Sequence, residues 1–377
     1  MATVATTPVR GPQPGSAPSG MGQLTPGGAG QSPQSGVFIT GTPQSGNGTA
    51  SDDSGKSIHH DGRKKLPWGK DVWDRIDKAV EMEMKRILIG RRFIPIKEVS
   101  SKTLTVPTDA YALSAGGFTA DEGASTRLVT LSSSFSLTPQ QIAQETGDTK
   151  ELGHSTAVTL ATRAANALAQ AEDLLIFQGQ NAFNNPLFVG GPVINQGVPN
   201  DTGLLNFAVG AIAPPAGLPA VNPGIGGRPA PGYGTETFTQ VTAAMASLVA
   251  SGNSGPYALV LDTFPYADAY APIASLAVPA DAIKPLMTAG FFGTSALRLY
   301  GPPPPPPPVV AAAAAATPPY FGVLVSLGGN TVDLVVGLHA TTAILQENAQ
   351  GNFQLQVIER IALRFKNPPG VVQLQFN

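Results

Sequence analysis

Apolar residues at Trp73, Ile76, Val80, Met84, Ile87 and Leu88 recur at three- and four-residue steps, and Asp74, Arg75, Asp77, Lys78, Glu81, Glu83, Lys85 and Arg86 fill the positions between them. That is the period of one helix face, with a charged face opposite. Gly90 is placed to stop this helix, and Pro95 forces an extended exit. Ser155–Phe177 is a longer, alanine-rich helical stretch ended by Gly179, a composition suited to close helix packing. Thr138-Pro139-Gln140-Gln141 opens a shorter helix, with Thr138 as N-cap and proline in its first turn. Thr237–Ser251 reads as another helix. Strand patterns cover Arg127–Leu137 and Tyr257–Asp262, then Phe321–Leu327, Thr331–Val336, Thr341–Gln346, Phe353–Phe365 and Val371–Phe376. Glu98 to Ser125 suits an extended two-stranded loop. Helices and strands do not alternate, so the pattern predicts an α+β fold with non-local strand pairing rather than a doubly wound sheet.

Composition changes this picture at both ends. Residues 1–60 are rich in Gly, Pro, Ser, Thr and Gln and hold too little apolar material to offset chain entropy, which predicts disorder. One apolar island, Val37-Phe38-Ile39, sits there between two Pro-Gln-Ser-Gly repeats. It is either a chance cluster or a short linear motif that adds to a strand edge or fills a groove. Pro302–Pro308 followed by Ala311–Ala316 reads as a polyproline spacer in an expanded surface loop.

Charge is unevenly placed. Residues 61–98 hold eleven Lys/Arg and seven Asp/Glu, whereas the 279 positions from 99 to 377 hold ten basic and sixteen acidic residues. A body about 9% charged falls well below a freely soluble surface, so much of it is expected to be covered by other subunits. No apolar run approaches the roughly 20 residues that span a bilayer, and the N-terminus lacks the pattern of a secretory signal, so the expectation is a cytoplasmic protein with no membrane partner.

The inventory of reactive groups is thin. Cysteine is absent, which removes disulfides, thiolate metal sites and a cysteine nucleophile. His59 and His60 are adjacent and fix no metal geometry, and His154 beside Glu151 reads as a capping or surface residue. Glu172 and Asp173 point about 100° apart on a helix and read as structural ion-pairing groups rather than a catalytic dyad. Gly224-Ile225-Gly226-Gly227-Arg228 is followed by no Lys-Ser/Thr and lacks a strand–helix frame, so it is no phosphate loop. No enzyme, cofactor or metal site is expected. Arg63, Lys64, Lys65, Arg91 and Arg92 are candidates for nucleic-acid contact, but interleaved acids and scarce aromatics disfavour it.

Several stretches nevertheless carry a resemblance. Trp73-Asp74-Arg75-Ile76-Asp77, its apolar stripe and Gly90-Arg91-Arg92-Phe93 are similar to the N-terminal helix of encapsulin shell proteins. Leu131–Gln140, Ala171–Gly179, Gly255–Asp262 and the C-terminal stretch (Gly328-Gly329, Asp333–Gly337, Glu359-Arg360 and Arg364–Pro368) resemble later parts of that family, in the same order. The N-terminal extension, the long 180–235 segment and the insert near 302–318 depart from its compact members.

The resemblance implies an HK97 phage-capsid-like fold divided as follows: extension 1–60, amphipathic helix region 61–97, extended loop 98–130, part of the peripheral domain with its spine helix 131–235, apical domain 236–335 with the Pro/Ala insert, and C-terminal strands 336–377. It implies a subunit that assembles with many copies of itself into an icosahedral compartment, enclosing cargo enzymes of iron-storage or oxidative-stress type captured by a targeting peptide. Carried over by position, Ile76, Val80 and Met84 would line the groove for that peptide, and Val37-Phe38-Ile39 would be a built-in competitor for it. The alternative is a major capsid protein of an HK97-type virus, with packaged DNA as its partner.

Overall fold

The computed structural model describes residues 61–114, 117–121, 123–146, 155–198, 203–207, 211–212, 233–272, 277–299, 320–328 and 331–376, all within the unit Asp52–Asn377. In chain order the elements are helix α1 (Lys70–Ile87), strands β1 (Ile96–Glu98), β2 (Thr105–Pro107), β3 (Ala110–Ser114), β4 (Gly117–Asp121), β5 (Ser125–Arg127) and β6 (Val129–Leu137), and helices α2 (Pro139–Thr146) and α3 (Thr156–Gln178). Then come β7 (Val193–Gln196), α4 (Leu204–Phe207), β8 (Ala211–Ile212), α5 (Tyr233–Ala250), β9 (Tyr257–Asp262), α6 (Thr263–Ala269), α7 (Pro279–Ile283) and β10 (Gly290–Thr294). The chain closes with β11 (Tyr320–Ser326), β12 (Val332–Glu347), β13 (Phe353–Phe365) and β14 (Val371–Phe376).

Two five-stranded sheets organise these elements, in the orders β1-β12-β13-β6-β7 and β10-β9-β11-β14-β8. The first is antiparallel except for β1, which runs parallel to β12; the second pairs β10 with β9 and β14 with β8 in parallel. In the first sheet, β12 and β13 form a long hairpin. The Thr331–Val336 and Thr341–Gln346 patterns turn out to be one strand, with register shifts between Val336, Leu338 and Thr341. Gly337-Leu338-His339-Ala340 breaks the apolar alternation because it is bulged, not because the strand ends.

Helices α1 and α3 lie over the first sheet. Val72, Trp73, Ile76, Val80 and Met84 of α1 are all buried, joining Ala157, Ala161, Ala165, Leu168 and Ile176 of α3 in one core with Leu131, Leu355 and Val357. Small side chains along α3 let α1 approach closely. Ser155 caps α3 by accepting the Val158 N–H, and Gly179, at φ 57°, sends its N–H back to the Leu175 carbonyl. Trp68 stacks edge-on to Trp73 and donates from its ring nitrogen to the Ile142 carbonyl, tying the entry to α1 onto α2.

Helix α1 ends three residues before the glycine that was expected to stop it. The Asp173 carboxylate of α3 accepts the N–H groups of Ile89 and Gly90 at 2.9 Å, and the chain continues as a short 3-10 turn over Gly90–Arg92. Gly90 is required for contact rather than for a left-handed bend: a Cβ there would lie 2.6 Å from Ile176 Cδ1.

A second core holds Val241, Ala244 and Leu248 of α5 against Leu259 and Leu261 of β9, Leu324 of β11, and Leu374 and Phe376 of β14.

Candidate functional site

Between β1 and β6 the chain makes no helix and instead projects two short antiparallel ladders, β2 with β5 and β3 with β4. A two-stranded arm of this kind cannot bury a core of its own. Its root is held by two arginines, four residues apart on one face of β13. Arg364, only 2% exposed, donates to both oxygens of Asp333 at 2.6 and 2.8 Å, to the Pro107 carbonyl at 2.9 Å and to Asp109 at 2.7 Å. Arg360 donates to the Ser101 carbonyl at 2.7 Å and to Thr130 at 3.0 Å. The Tyr111 N–H reaches the Lys366 carbonyl, and Asp109 takes a positive φ of 53° at the corner. Burial opposes ionisation of Asp333, but hydrogen bonds from Arg364 and Lys366 outweigh it and hold the carboxyl below its usual range.

On the other side of the first sheet lies a second guanidinium centre. Arg91, in the turn after α1, donates to Glu172 of α3 at 2.6 and 2.8 Å and to Glu359 of β13 at 3.0 Å. Glu172 and Glu359 are fully buried and Asp173 nearly so. Burial alone would depress the guanidinium, yet Glu172 and Glu359 beside it prevail and raise it further above its ordinary value. Glu359 is pushed well above the usual carboxylate range by burial and by the charge of Glu172. Asp173 rises to about 7, because burial outweighs the Gly90 and Ile89 N–H groups that favour its ionised form.

The candidate residues fare differently. Glu172 and Asp173 take separate partners: Glu172 pairs with Arg91, whereas Asp173 accepts the backbone N–H groups of Ile89 and Gly90 rather than forming an ion pair. The Ile76, Val80 and Met84 side chains face inward, at 0%, 0% and 4% exposure, so they do not line an open groove in this chain. A 3.6-residue apolar stripe marks a face that must be covered, and here α3 and the first sheet cover it. What α1 offers outward is Met82, at 63% exposure, and a shallow depression with α3 that is lined by Glu83, Thr162, Asn166, Gln170 and Leu187 among others. Val37, Phe38 and Ile39, the histidines His59, His60 and His154, the Gly224–Arg228 cluster and the 302–318 insert lie outside the described residues.

Two of the basic candidates are committed elsewhere. Arg63, 8% exposed, forms a bidentate pair with Asp77, donates to the Thr342 carbonyl and stacks over the Trp73 ring, while Arg91 belongs to the cluster above. Arg92 reaches the Arg86 carbonyl from an exposed position. His339 is exposed and meets Glu98 at 3.0 Å. Among the described residues, no group of three or more His, Asp or Glu side chains is placed to hold a metal, and no helix is long and apolar enough to cross a membrane.

The elements from α1 through the arm, β6, α2 and α3 coincide with a match to a protein family. The model for the family described as encapsulating protein for peroxidase matches residues 59–186. Over that stretch, about a third of the chain, the sequence is similar to that family. No curated protein sequence matches it. Among solved structures, the virus-like particle from Pyrococcus furiosus aligns with a TM-score of 0.54 and 16% identity over 81% of this chain and 99% of that one. The two share a fold, of the HK97 capsid type. The capsid of Myoviridae phage XM1 aligns with a TM-score of 0.49 and 12% identity, covering 77% of this chain and 92% of that one. The holo-SrpI encapsulin complex from Synechococcus elongatus aligns with a TM-score of 0.43 and 7% identity, covering 77% and 88%.

The arm clamp and the Arg91 cluster were not read from sequence beyond the Glu172-Asp173 pairing. A signal was present in both cases. Charges stand inside otherwise apolar runs, Glu172-Asp173 in Ala169–Phe177 and Glu359, Arg360 and Arg364 in Val357–Phe365, and a charge that a strand or helix must bury needs a partner.

Proposed function

We propose that this chain is a structural subunit of an encapsulin-type shell, assembling with many copies of itself and enclosing a protein cargo. The observation that carries the reading is the encapsulating-protein match across α1, the arm and α3, within a fold shared with a virus-like particle. The clamped arm supports it, since an extension without its own core is stabilised by packing on a neighbour. The charge-poor body from residue 99 onward supports it as well. Sedimentation of the purified protein, with absorbance read at protein and nucleic-acid wavelengths, tests the reading. A particle many subunits in size and free of nucleic acid is expected. A nucleic-acid-filled particle would favour the viral capsid instead, and a monomer would defeat both.

Cargo of iron-storage or oxidative-stress type, in a cytoplasmic compartment, is the finer part of the proposal. Because Ile76, Val80 and Met84 are internal, the targeting peptide would seat on the outer seam between α1 and α3, near Asn166 and Leu187. Many weak sites facing one enclosed volume would retain cargo by effective concentration. A Leu187→Arg chain should assemble but load less tagged cargo; undiminished loading would remove this seam from the proposal. A Val80→Asp change tests nothing about cargo, because a carboxylate at a fully buried position should cost the fold itself.

A further inference from the structure

We propose that Arg91, Glu172, Glu359 and Asp173 form a proton-locked latch that holds the turn after α1 against α3 and β13, and that releases this turn as the pH rises above neutral. Around Arg91 the chain places more acid than base in a space largely closed to water. Three carboxyl groups surround one guanidinium, and the carboxyl groups are at most 4% exposed. Arg91 makes two hydrogen bonds to Glu172 and one, to Oε2, with Glu359. The other oxygen of Glu359, Oε1, has no donor within the protein. Arg91 thus holds Glu172 of α3 and Glu359 of β13 on one guanidinium. Ionised carboxylates only accept, and one guanidinium cannot balance three of them, so the cluster calls for a proton on Glu359. Without it the cluster would hold three anions and one cation away from water, an arrangement that a folded chain does not tolerate.

The remaining surroundings offer no relief. Arg92 turns out to the Arg86 carbonyl, Arg86 itself pairs with Glu83, and His339 faces Glu98. Opposite Glu359 in the neighbouring strand stands Leu131, and β10 contributes Phe292, stacked on Phe93. The movable part is therefore the turn itself. Glu172 and Asp173 lie inside α3 and Glu359 lies inside β13, whereas Gly90 and Arg91 belong to a short 3-10 turn and Ile89 is its N-cap. Losing the Glu359 proton leaves an excess of buried negative charge around Arg91, and separation of the turn lets water reach it. With Glu359 raised well above the usual carboxylate range and Asp173 raised to about 7, the change comes with rising pH.

Amide hydrogen exchange of the 88–94 segment in the full-length protein, converted to protection factors so that the base catalysis of exchange is removed, reads the latch directly. From about pH 6 to about pH 10 the protection of this segment should fall by about tenfold or more, since each unit of pKa is a factor of ten. Glu359→Gln keeps the neutral form at every pH. It should match the parent chain at about pH 6 and lose less than about threefold by about pH 10. Glu172→Gln should shift the fall in the same direction. Protection that is flat with pH in the parent chain, or that falls identically in both variants, would overturn the latch. So would a Glu359→Gln chain unable to fold at about pH 6, because the latch requires Glu359 to be neutral there.

Discussion

A buried guanidinium, Arg364, and a half-buried one, Arg91, flank the first sheet, and they hold different things for different reasons. Arg364 is balanced: Asp333 and Asp109 face it, and Lys366 shares Asp333 at 2.8 Å. Arg91 is outnumbered, with Glu172, Glu359 and Asp173 around it. The balanced centre fixes the root of an arm that leaves the body. The outnumbered one fixes the end of a helix that covers the core. Charge balance decides how each responds to protons. A carboxyl held down by cations is at risk in acid, and a carboxyl pushed up by burial and like charge is at risk in base.

Removing each arginine breaks the comparison most strongly. Arg91→Met should cost about 3–5 kcal/mol in urea unfolding near neutral pH, because it strands the buried carboxyls of Glu172 and Glu359; part of that loss should return as the pH is lowered. Arg364→Met should cost less, about 2–3 kcal/mol, since Lys366 still pairs with Asp333. Its effect should also be local: limited proteolysis should cut within residues 98–128 while the rest of the chain resists. Equal losses, or arm cleavage in the Arg91 variant alone, would undo the assignment of the two centres.

Titration sharpens the comparison with smaller effects. Asp173 rises from its ordinary 3.8 to about 7, so its contribution is complete below about pH 4 and is lost as the pH climbs through about 7. Asp333 is displaced downward, so its contribution is present above its ordinary 3.8 and is lost as the pH falls through its folded value. Urea midpoints recorded across this range should therefore lose their fall between about pH 4 and about pH 7 in Asp173→Asn, whose amide oxygen can still accept from Gly90. In Asp333→Asn the acid-side loss should shrink instead. Slopes of the same sign in both variants would contradict the contrast.

How much of this was legible in the sequence follows from how local each feature is. Ser155 and Gly179 bound α3 within a residue of the expected limits, and Tyr257–Asp262 is a strand as read, because caps and short apolar runs are local signals. The stripe at Ile76, Val80 and Met84 was visible, but what covers it was not, since periodicity marks an apolar face without naming its partner. The bulge at Gly337–Ala340 was hidden for a related reason: it is defined against Arg360 and Ile358 of another strand. Arg91, Glu172 and Glu359 are separated by 81 and 268 positions along the chain, so only the fold brings them together.

The shell assignment rests on copies of this chain meeting one another, and electron microscopy of the purified protein tests that most directly. Closed, hollow particles with the arm of each subunit laid across its neighbour are the expected result. A field of single subunits, or particles in which the arm folds back on its own body, would contradict it.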